Sequence, residues 1–404
     1  MKFAHMADCH IGSWRDPKLK DASSYAFSEA VKTCIEENVD FVIIAGDLFN
    51  TSFPRLDSLK SAVTKLKDLK DAGIPVYIVP GSHDYSPSGK TILDVLEEAG
   101  LFVNVFRGSV ENGKLRLNFT IDKKTGVKLT GMLGKRGSLE KLYYEKMITE
   151  HLENEQGCKI FVFHSGIDEI KQKGMENIIS QPLSMLPKNF DYYAGGHVHI
   201  VDEKTLEGYK KIAYPGPLFP NSFSELEKLE AGGFYIVEDG KTRWERIQAH
   251  NVYKISVDCS GKTADEIKKE VLEDISNKEF NNTIVLIRLR GVMEGRPSDI
   301  DFRDIFSKIY EKSAYFVMKS SSQLSSKTFD EIKIDMRSVD DVEASLIREH
   351  SGQMTPDGMS KIEEESIIKS LMELLNSDRD ESERVADFEK RIKEDLGKVL
   401  GIRL

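Results

Sequence analysis

Aspartate and histidine residues follow short apolar runs at several places in this 404-residue sequence. Asp8 and His10 come after KFAHMA at 2–7, and Asp47 comes after FVIIA at 41–45. Side chains two residues apart on an extended chain point to the same side, so Asp8 and His10 can bind one ion. A carboxylate at the end of a buried strand, such as Asp47, is costly unless it is paired or bound to a metal. Its two oxygens can bridge two cations.

The third motif is a Gly-Ser-His-Asp tetrapeptide at 81–84, which follows the apolar run VYIVP. The glycine permits a tight turn. His83 is placed to contact a substrate, and we expect Asp84 to orient its imidazole ring. Alone, such a tetrapeptide is more often a simple turn than a site.

Two further motifs contribute only histidines. His164 follows the apolar run KIFVF, and His197 and His199 form a His-x-His pair after YYAGG. The glycines let the backbone approach closely, and the spacing directs both imidazoles of the pair to one face. Each motif alone can be a cap, a turn or a buried histidine. Together they take five of the nine histidines, always after an apolar strand, so chance is a poor explanation.

The ligand types favour particular metals and a particular reaction. Carboxylate and imidazole without thiolate suit Mn, Fe or Zn better than Mg or Ca. Two such ions about 3.5–4 Å apart can clamp a phosphate and activate water. The motifs therefore predict hydrolysis of a phosphate ester.

This order of motifs resembles the calcineurin-like metallophosphoesterase superfamily. Protein phosphatases of that superfamily carry Gly-Asp-x-Val-Asp-Arg-Gly, whereas this chain reads GDLFNTSFP at 46–54. That segment and YPGPLFP at 214–220 are most similar to DNA double-strand-break repair nucleases of the SbcD/Mre-eleven type. The similarity in sequence motifs is strong up to about residue 240. Beyond that residue, only the order and size of the segments resemble the family.

The resemblance implies a role for each motif residue. His83 would contact the phosphoryl group and help to protonate the leaving oxygen, with Asp84 beside it in the catalytic motif. Six residues would hold two divalent ions, which we expect to be Mn. They are Asp8, His10 and His199 for the first ion, His164 and His197 for the second, and Asp47 as the bridge.

Ser82 departs from the family pattern. The family normally has asparagine there, and its carboxamide oxygen binds the second ion. A serine hydroxyl is shorter and a poorer neutral ligand. We therefore expect the second ion to be bound more weakly and the activity to depend more strongly on the metal concentration.

Strand-like runs alternate with helical patterns up to about residue 240, which predicts an α/β domain. By resemblance, this domain is a layered β-sandwich flanked by helices, followed by a small α+β cap and a helical C-terminal tail. The predicted segments are the nuclease domain at 1–248, the DNA-binding cap at 249–319, a serine-rich linker at 320–360, and helices at 361–404.

The resemblance also implies macromolecular partners. These are double- and single-stranded DNA ends, a second copy of the chain in a homodimer, and an SMC-like coiled-coil ABC ATPase of the Rad-fifty/SbcC type. Amphipathic segments at 361–375 and 385–400 could dock on that ATPase, or could instead pack on their own domain. Basic residues near the metal motifs are candidates for phosphate contact. They are Arg15, Lys18, Lys20, Arg55, Lys135 and Arg136.

Composition and charge limit the location and the partners. The net charge is -10, but 13 Lys and Arg against 20 Asp and Glu place -7 of it in residues 327–404. The nearly neutral remainder can still present a basic groove, to which metal ions add charge. No apolar run approaches the roughly 20 residues that span a bilayer, and no secretory signal is evident. Four scattered cysteines are typical of reduced thiols, so we expect a cytoplasmic, nucleoid-associated protein without a membrane partner.

The resemblance implies a Mn-dependent exonuclease and endonuclease that acts at DNA ends in double-strand-break repair. By resemblance, the exonuclease works from 3′ to 5′. Two alternatives stay open. A phosphodiesterase for a small substrate would need a closed pocket under the cap. A DNA-end-binding scaffold that hardly cuts is favoured by Ser82.

Overall fold

The computed structural model describes residues 1–85, 91–175, 178–327 and 385–400, with 366–368, 370, 371, 374 and 377 between them. The chain divides into two compact units, residues 1–328 and 329–404. The first unit contains both the predicted nuclease domain and the predicted cap.

Two six-stranded sheets form the centre of the first unit. In spatial order, the first sheet consists of β16 (Lys241–Ile247), β15 (Gly232–Glu238), β1 (Lys2–Met6), β2 (Phe41–Ala45), β3 (Val76–Val79) and β4 (Val103–Asn104). The second consists of β13 (Val201–Leu206), β14 (Tyr209–Pro215), β12 (Tyr192–Gly196), β9 (Lys159–His164), β8 (Lys128–Met132) and β7 (Thr120–Ile121). Two short pairs accompany them: β5 (Gly108–Glu111) with β6 (Lys114–Leu117), and β10 (Gly166–Ile167) with β11 (Ser180–Gln181).

Helices accompany these sheets. They are α1 (Pro17–Glu36), α2 (Leu56–Asp71), α3 (Ile92–Glu98), α4 (Lys141–Glu145), α5 (Glu150–Asn154) and α6 (Phe223–Leu229).

Strand β2 shows why its sequence is apolar at every position. Phe41, Ile43 and Ala45 belong to the core between the two sheets. Val42 and Ile44 belong to a second core, which also contains residues of α1 and α2. A parallel strand covered on both faces is expected to be continuously hydrophobic. Strand β9 of the second sheet is likewise buried on both faces, with residues in the core between the sheets and in a core on its other side. The burial of β2 and β9 confirms the predicted layered sandwich.

Parallel pairing brings the motif loops together. β1, β2 and β3 pair in parallel, and so do β9 and β12. The C-terminal ends of parallel neighbours lie at one edge of a sheet, so the loops that follow them are adjacent. Each of the five motifs lies at or directly after such an end.

The cap is a βαβαβ unit with its own hydrophobic core. Its strands β17 (Asn251–Asp258), β18 (Thr283–Met293) and β19 (Phe316–Ser326) pair in parallel. Helices α7 (Ala264–Ile275) and α8 (Phe302–Glu311) make the crossovers that parallel strands require.

The predicted start of the linker, at residue 320, is wrong. Strand β19 continues through the serine-rich stretch, and Ser326 is paired with Met293 of β18. Serine clusters are typical of loops, but here β18 supplies the backbone hydrogen-bonding partner of a strand at the edge of its sheet. The other serines stay at least partly exposed, and the buried Ser326 donates to the carbonyl oxygen of Gly295. Residues 328–360 lie outside the described residues.

The described part of the second unit is helical. Val385–Leu400 forms α9, as the spacing of its apolar residues predicts. Of the other predicted segment, at 361–375, the six positions described are helical and the rest lie outside the described residues. None of the described helices is long and apolar enough to cross a lipid bilayer.

Candidate metal centre

The loops after β1 and β2 run side by side and carry the first ligands. The amide of Asp8 donates to the carbonyl oxygen of Gly46 at 3.1 Å, and the amide of His10 donates to that of Asp47 at 2.9 Å. This backbone pairing fixes the separation of the side chains before any ion is considered. Five candidate ligand residues also adopt a left-handed backbone, which is uncommon outside glycine and is concentrated at functional sites. They are Asp8, His10, Asp47, His197 and His199, with φ between 40° and 94°.

Asp8, His10 and His199 form the first group, with ligand atoms within 4.8 Å of one another. Nε2 of His199 lies 3.1 Å from Nε2 of His10 and 3.6 Å from Oδ1 of Asp8. Burial lowers the pKa of His10 to about 4. Burial acts the same way on His199, but the charges and hydrogen bonds of Asp8 and Glu225 together outweigh it and raise the His199 pKa well above its usual value. The two Nε2 atoms face each other, and a divalent cation bound between them would fit this arrangement.

Asp8, Asp47 and His164 form the second group, also within 4.8 Å. Nδ1 of His164 donates to the carbonyl oxygen of Ala45 at 2.8 Å, which directs Nε2 towards the carboxylates. Nε2 lies 3.2 Å from Oδ2 of Asp47 but has no hydrogen-bond partner among the described residues. Burial would lower the pKa of His164, but Asp47 outweighs it and raises the pKa to about 9. A buried nitrogen this close to a carboxylate, without hydrogen-bond geometry, fits a divalent cation bound between them.

His197 and Ser82 lie at the margin of the second group. The ring of His197 packs edge-on against that of His164, with centroids 5.1 Å apart, and its amide donates to both oxygens of Asp8 at 3.0 Å. Oγ of Ser82 lies 3.5 Å from Oδ2 of Asp47. Both residues are next to the second group, and His197 does not belong to the sets of His, Cys, Asp and Glu residues whose ligand atoms lie within 4.8 Å of one another. Their roles as ligands stay predictions.

The prediction that Asp84 orients the ring of His83 is wrong. Nδ1 of His83 instead donates to the carbonyl oxygen of Asn50 at 2.9 Å. The carboxylate of Asp84 accepts the amides of Gly81 at 2.9 Å and Phe49 at 3.2 Å. A short acidic side chain readily bonds to nearby backbone amides, and that local use competes with contact to a histidine. Asp84 therefore shapes the loop that presents His83.

Four of the predicted DNA contacts are exposed or partly exposed to solvent. Arg15, Arg55 and Arg136 are exposed in the segments that follow β1, β2 and β8. Lys135 is half-buried, donates to the hydroxyl of Tyr143 at 2.8 Å and lies 4.7 Å from that ring centroid. Exposed guanidinium groups at these positions can reach a phosphate backbone, and this remains a prediction.

The other two candidates, Lys18 and Lys20, lie in a helix. Helix α1 begins at Pro17, and the carboxylate of Asp16 caps it by accepting the amide of Lys18 at 2.9 Å. Proline at the first helical position is favourable because its missing N–H is not needed there. Nζ of Lys18 donates to the carbonyl oxygen of Tyr315 at 3.1 Å, so this lysine contacts the cap.

Sequence reasoning missed Glu225. Its Oε1 accepts from Nδ1 of His199 at 3.1 Å. Burial would raise the pKa of Glu225, but the bond to His199, the charge of that ring and the amide of Asn221 together outweigh burial, so the pKa lies below its usual range. A carboxylate on the far nitrogen of a histidine ligand fixes the ring and its tautomer. The available signal was Ser222 three residues before Glu225, a pattern typical of a helix N-terminus. Nothing in that pattern points to His199.

These groups of buried oxygen and nitrogen ligands define a class, the metal-dependent hydrolases of phosphate esters. Residues 1–201 match the family described as calcineurin-like phosphoesterase, and the chain belongs to this family. The protein is accordingly a metal-dependent phosphoesterase.

One relative matches nearly the whole chain, and others match between about half and two thirds of it. A protein of Archaeoglobus fulgidus named DNA double-strand break repair protein Mre11 is 26% identical over 97% of this chain and 96% of its own length. One of the same name from Methanopyrus kandleri is 28% identical over 66% of this chain and 61% of its own. Among solved structures, a dimetal phosphatase from Danio rerio covers 58% of this chain and 91% of its own, with 13% identity and a TM-score of 0.35. That likeness is too distant to bear on fold or function.

Proposed function

We propose that this protein is a Mn-dependent nuclease that hydrolyses phosphodiester bonds at DNA ends during double-strand-break repair. The observation that carries the proposal is that two ligand groups share Asp8, with His83 within 4.8 Å of Asp47 and His10. This arrangement suits a phosphodiester held at two cations with a proton donor beside it. Relatives named for double-strand-break repair, one aligned over nearly its whole length, support DNA as the substrate.

The proposed roles are those that the family resemblance implies. Asp8, His10 and His199 would hold one ion, and His164 with His197 the other, with Asp47 between them. When bound, such ions polarise the phosphoryl group and lower the pKa of water.

His83 acts beside the ions. The carbonyl oxygen of Asn50 can only accept, so Nδ1 of His83 carries a hydrogen and Nε2 remains for the substrate. The protonated ring would donate from Nε2 to the leaving oxygen. The amide of His83 also donates to Oδ1 of Asp47 at 2.8 Å, which holds this donor at a constant distance from the ligands.

The partners belong to the same proposal. We propose a homodimer that binds double- and single-stranded DNA ends together with an SMC-like coiled-coil ABC ATPase. The amphipathic helix α9 is one candidate for the ATPase contact. The cytoplasmic, nucleoid-associated location also stays a prediction.

Cleavage assays with three substrates test the function. Wild-type protein would be titrated with Mn in the presence of a linear DNA duplex, a single strand and a small aryl phosphodiester. Asp47→Asn would be assayed in parallel, with Asp239→Asn as the matched control. Asp239 lies in the turn between β15 and β16 and its side chain is 80% exposed.

Three outcomes are distinguishable. Cleavage of DNA that is lost in Asp47→Asn and kept in Asp239→Asn supports the nuclease. Cleavage of the aryl ester with intact DNA would instead establish a small-substrate phosphodiesterase. DNA that is bound but never cut, at any Mn concentration, would establish the scaffold that Ser82 favours.

A further inference from the structure

Helix α6 lies between the metal centre and the cap and has side chains in contact with both. Successive residues of an α-helix are rotated by about 100°, so residues two apart lie on opposite faces. Glu225 therefore points away from Phe223 and Glu227. Glu225 contacts the candidate metal ligand His199, whereas Phe223 and Glu227 contact the cap.

On the metal side, Glu225 is held at both oxygens. Oε1 accepts from Nδ1 of His199 at 3.1 Å, and Oε2 accepts the amide of Asn221 at 2.8 Å. The amide of Glu225 donates to Oγ of Ser222 at 3.2 Å, which ties the carboxylate to the first turn of the helix. Any displacement of α6 therefore moves the group that orients the ring of His199.

On the cap side, α6 holds a nearly buried cation of β18. Nε of Arg288 lies 2.6 Å from Oε1 of Glu227, its guanidinium lies 4.9 Å from the ring centroid of Phe223, and its side chain is only 13% exposed. Lys254 of β17 donates to the carbonyl oxygen of Glu227 at 3.3 Å. A charge buried this far is expensive to leave unpaired, so β18 and α6 are expected to move together.

Apolar packing also restricts movement of α6 relative to β18. Leu226 of α6 is fully buried in the same core as Ile284 and Leu286 of β18. Close-packed interiors transmit small displacements because they contain few voids. The helix is therefore anchored to the cap by both charge and packing.

We propose that Glu225 is a positioning residue for His199, and that α6 couples the position of the cap to the geometry of the metal-binding site. The inference rests on the proposed two-metal centre, and it does not depend on the identity of the substrate. Whatever shifts the cap also changes metal affinity, and by linkage metal binding biases the position of the cap. A ligand bound at the cap can thus regulate the centre without touching an ion.

Calorimetric titration with Mn tests this coupling without measuring activity. Glu225→Gln keeps the shape of the side chain and is expected to lower the affinity about 10- to 100-fold. Arg288→Met, which contacts no ligand, is expected to lower it about 3- to 30-fold. The double variant should bind no more weakly than Glu225→Gln alone, since both changes act through one residue. Lys268→Met removes ion pairs with Asp301 and Asp304 inside the cap and should bind Mn like wild type.

The outcomes separate the inference from the function on which it rests. Glu227→Gln removes the same ion pair by a smaller change, in case Arg288→Met fails to fold by circular dichroism. Wild-type affinity in Glu227→Gln and in a folded Arg288→Met would overturn the coupling. Wild-type affinity in Glu225→Gln would overturn the positioning role. If the wild-type protein itself binds no Mn, the two-metal centre fails and the inference fails with it.

Discussion

Ser82, next to the second ligand group, is the residue at which the motifs depart from the family pattern that they resemble. Its side chain is buried beside Asp47, yet a hydroxyl is a poor neutral ligand. We predict that Ser82→Asn lowers the Mn concentration for half-maximal cleavage about 10-fold, because a carboxamide oxygen adds a ligand. Titration of cleavage against Mn measures this, and Ser82→Ala is the matched control. An unchanged Mn requirement in Ser82→Asn would show that this position does not limit the second ion.

His83 is predicted to act on the substrate, although it also lies within ligand distance of Asp47. In His83→Gln the side-chain amide can still donate to Asn50, but it cannot transfer a proton. We expect single-turnover cleavage to fall about 10²- to 10⁴-fold. Mn affinity, measured by calorimetry, should stay close to that of wild type. A loss of Mn affinity of the same order would instead make His83 a ligand.

At the residue scale, the sequence predicts the ligands and misses what orients them. Asp8, Asp47 and His164 could be found because each lies at the end of an apolar strand. Glu225 could not, because its contact with His199 is made by tertiary packing that no local pattern encodes. The role of Asp84 was wrong because backbone amides within its own loop compete for the carboxylate.

Among the elements, the turn that leaves β2 has the least room for change. Gly46 has φ of 84°, and a Cβ there would lie 2.1 Å from Nδ1 of His164. We predict that Gly46→Ala displaces the ring from the carbonyl oxygen of Ala45, weakens Mn binding and destabilises the fold by about 2–5 kcal/mol, the cost of the clash added to that of the left-handed backbone. Urea unfolding and calorimetry measure the two effects.

Gly73 is a control that separates the effect of the steric clash from the effect of the left-handed backbone. Gly73 has φ of 71°, but a Cβ there would meet nothing within 4 Å. Gly73→Ala should therefore cost only about 1–2 kcal/mol and leave Mn binding intact. Equal Mn affinity in both alanine variants would contradict the proposed packing of His164.

The predicted elements of the sandwich and the cap match the structure where periodicity and burial agree. β2 and β12 have the predicted bounds, since a strand buried on both faces is one uninterrupted apolar run. The predicted linker begins too early, inside β19, because the last residues of this strand are mostly serines, which are typical of loops. Their pairing depends on β18, a partner that is distant along the chain.

For the whole molecule, the family resemblance predicts more than the residue patterns do. Alternating strands and helices indicate an α/β domain, but not that two sheets pack face to face. The packing of the cap on the catalytic domain, through α6 and Lys18, depends on tertiary contacts that the sequence pattern does not reveal. Such contacts determine which surface charges remain free for DNA.

The metal centre joins the two sheets, so loading it should stabilise the whole first unit. Asp8 and Asp47 follow strands of the first sheet, whereas His164 ends a strand of the second sheet and His199 follows another. A ligand that binds only the folded state adds about 2.7 kcal/mol of stability at 100 times its Kd. We therefore expect Mn to raise the Tm of the EDTA-treated protein by about 5 °C or more in a thermal melt. Asp47→Asn should lose most of this gain and Asp239→Asn should keep it; an equal gain in both variants would place Mn binding elsewhere on the molecule.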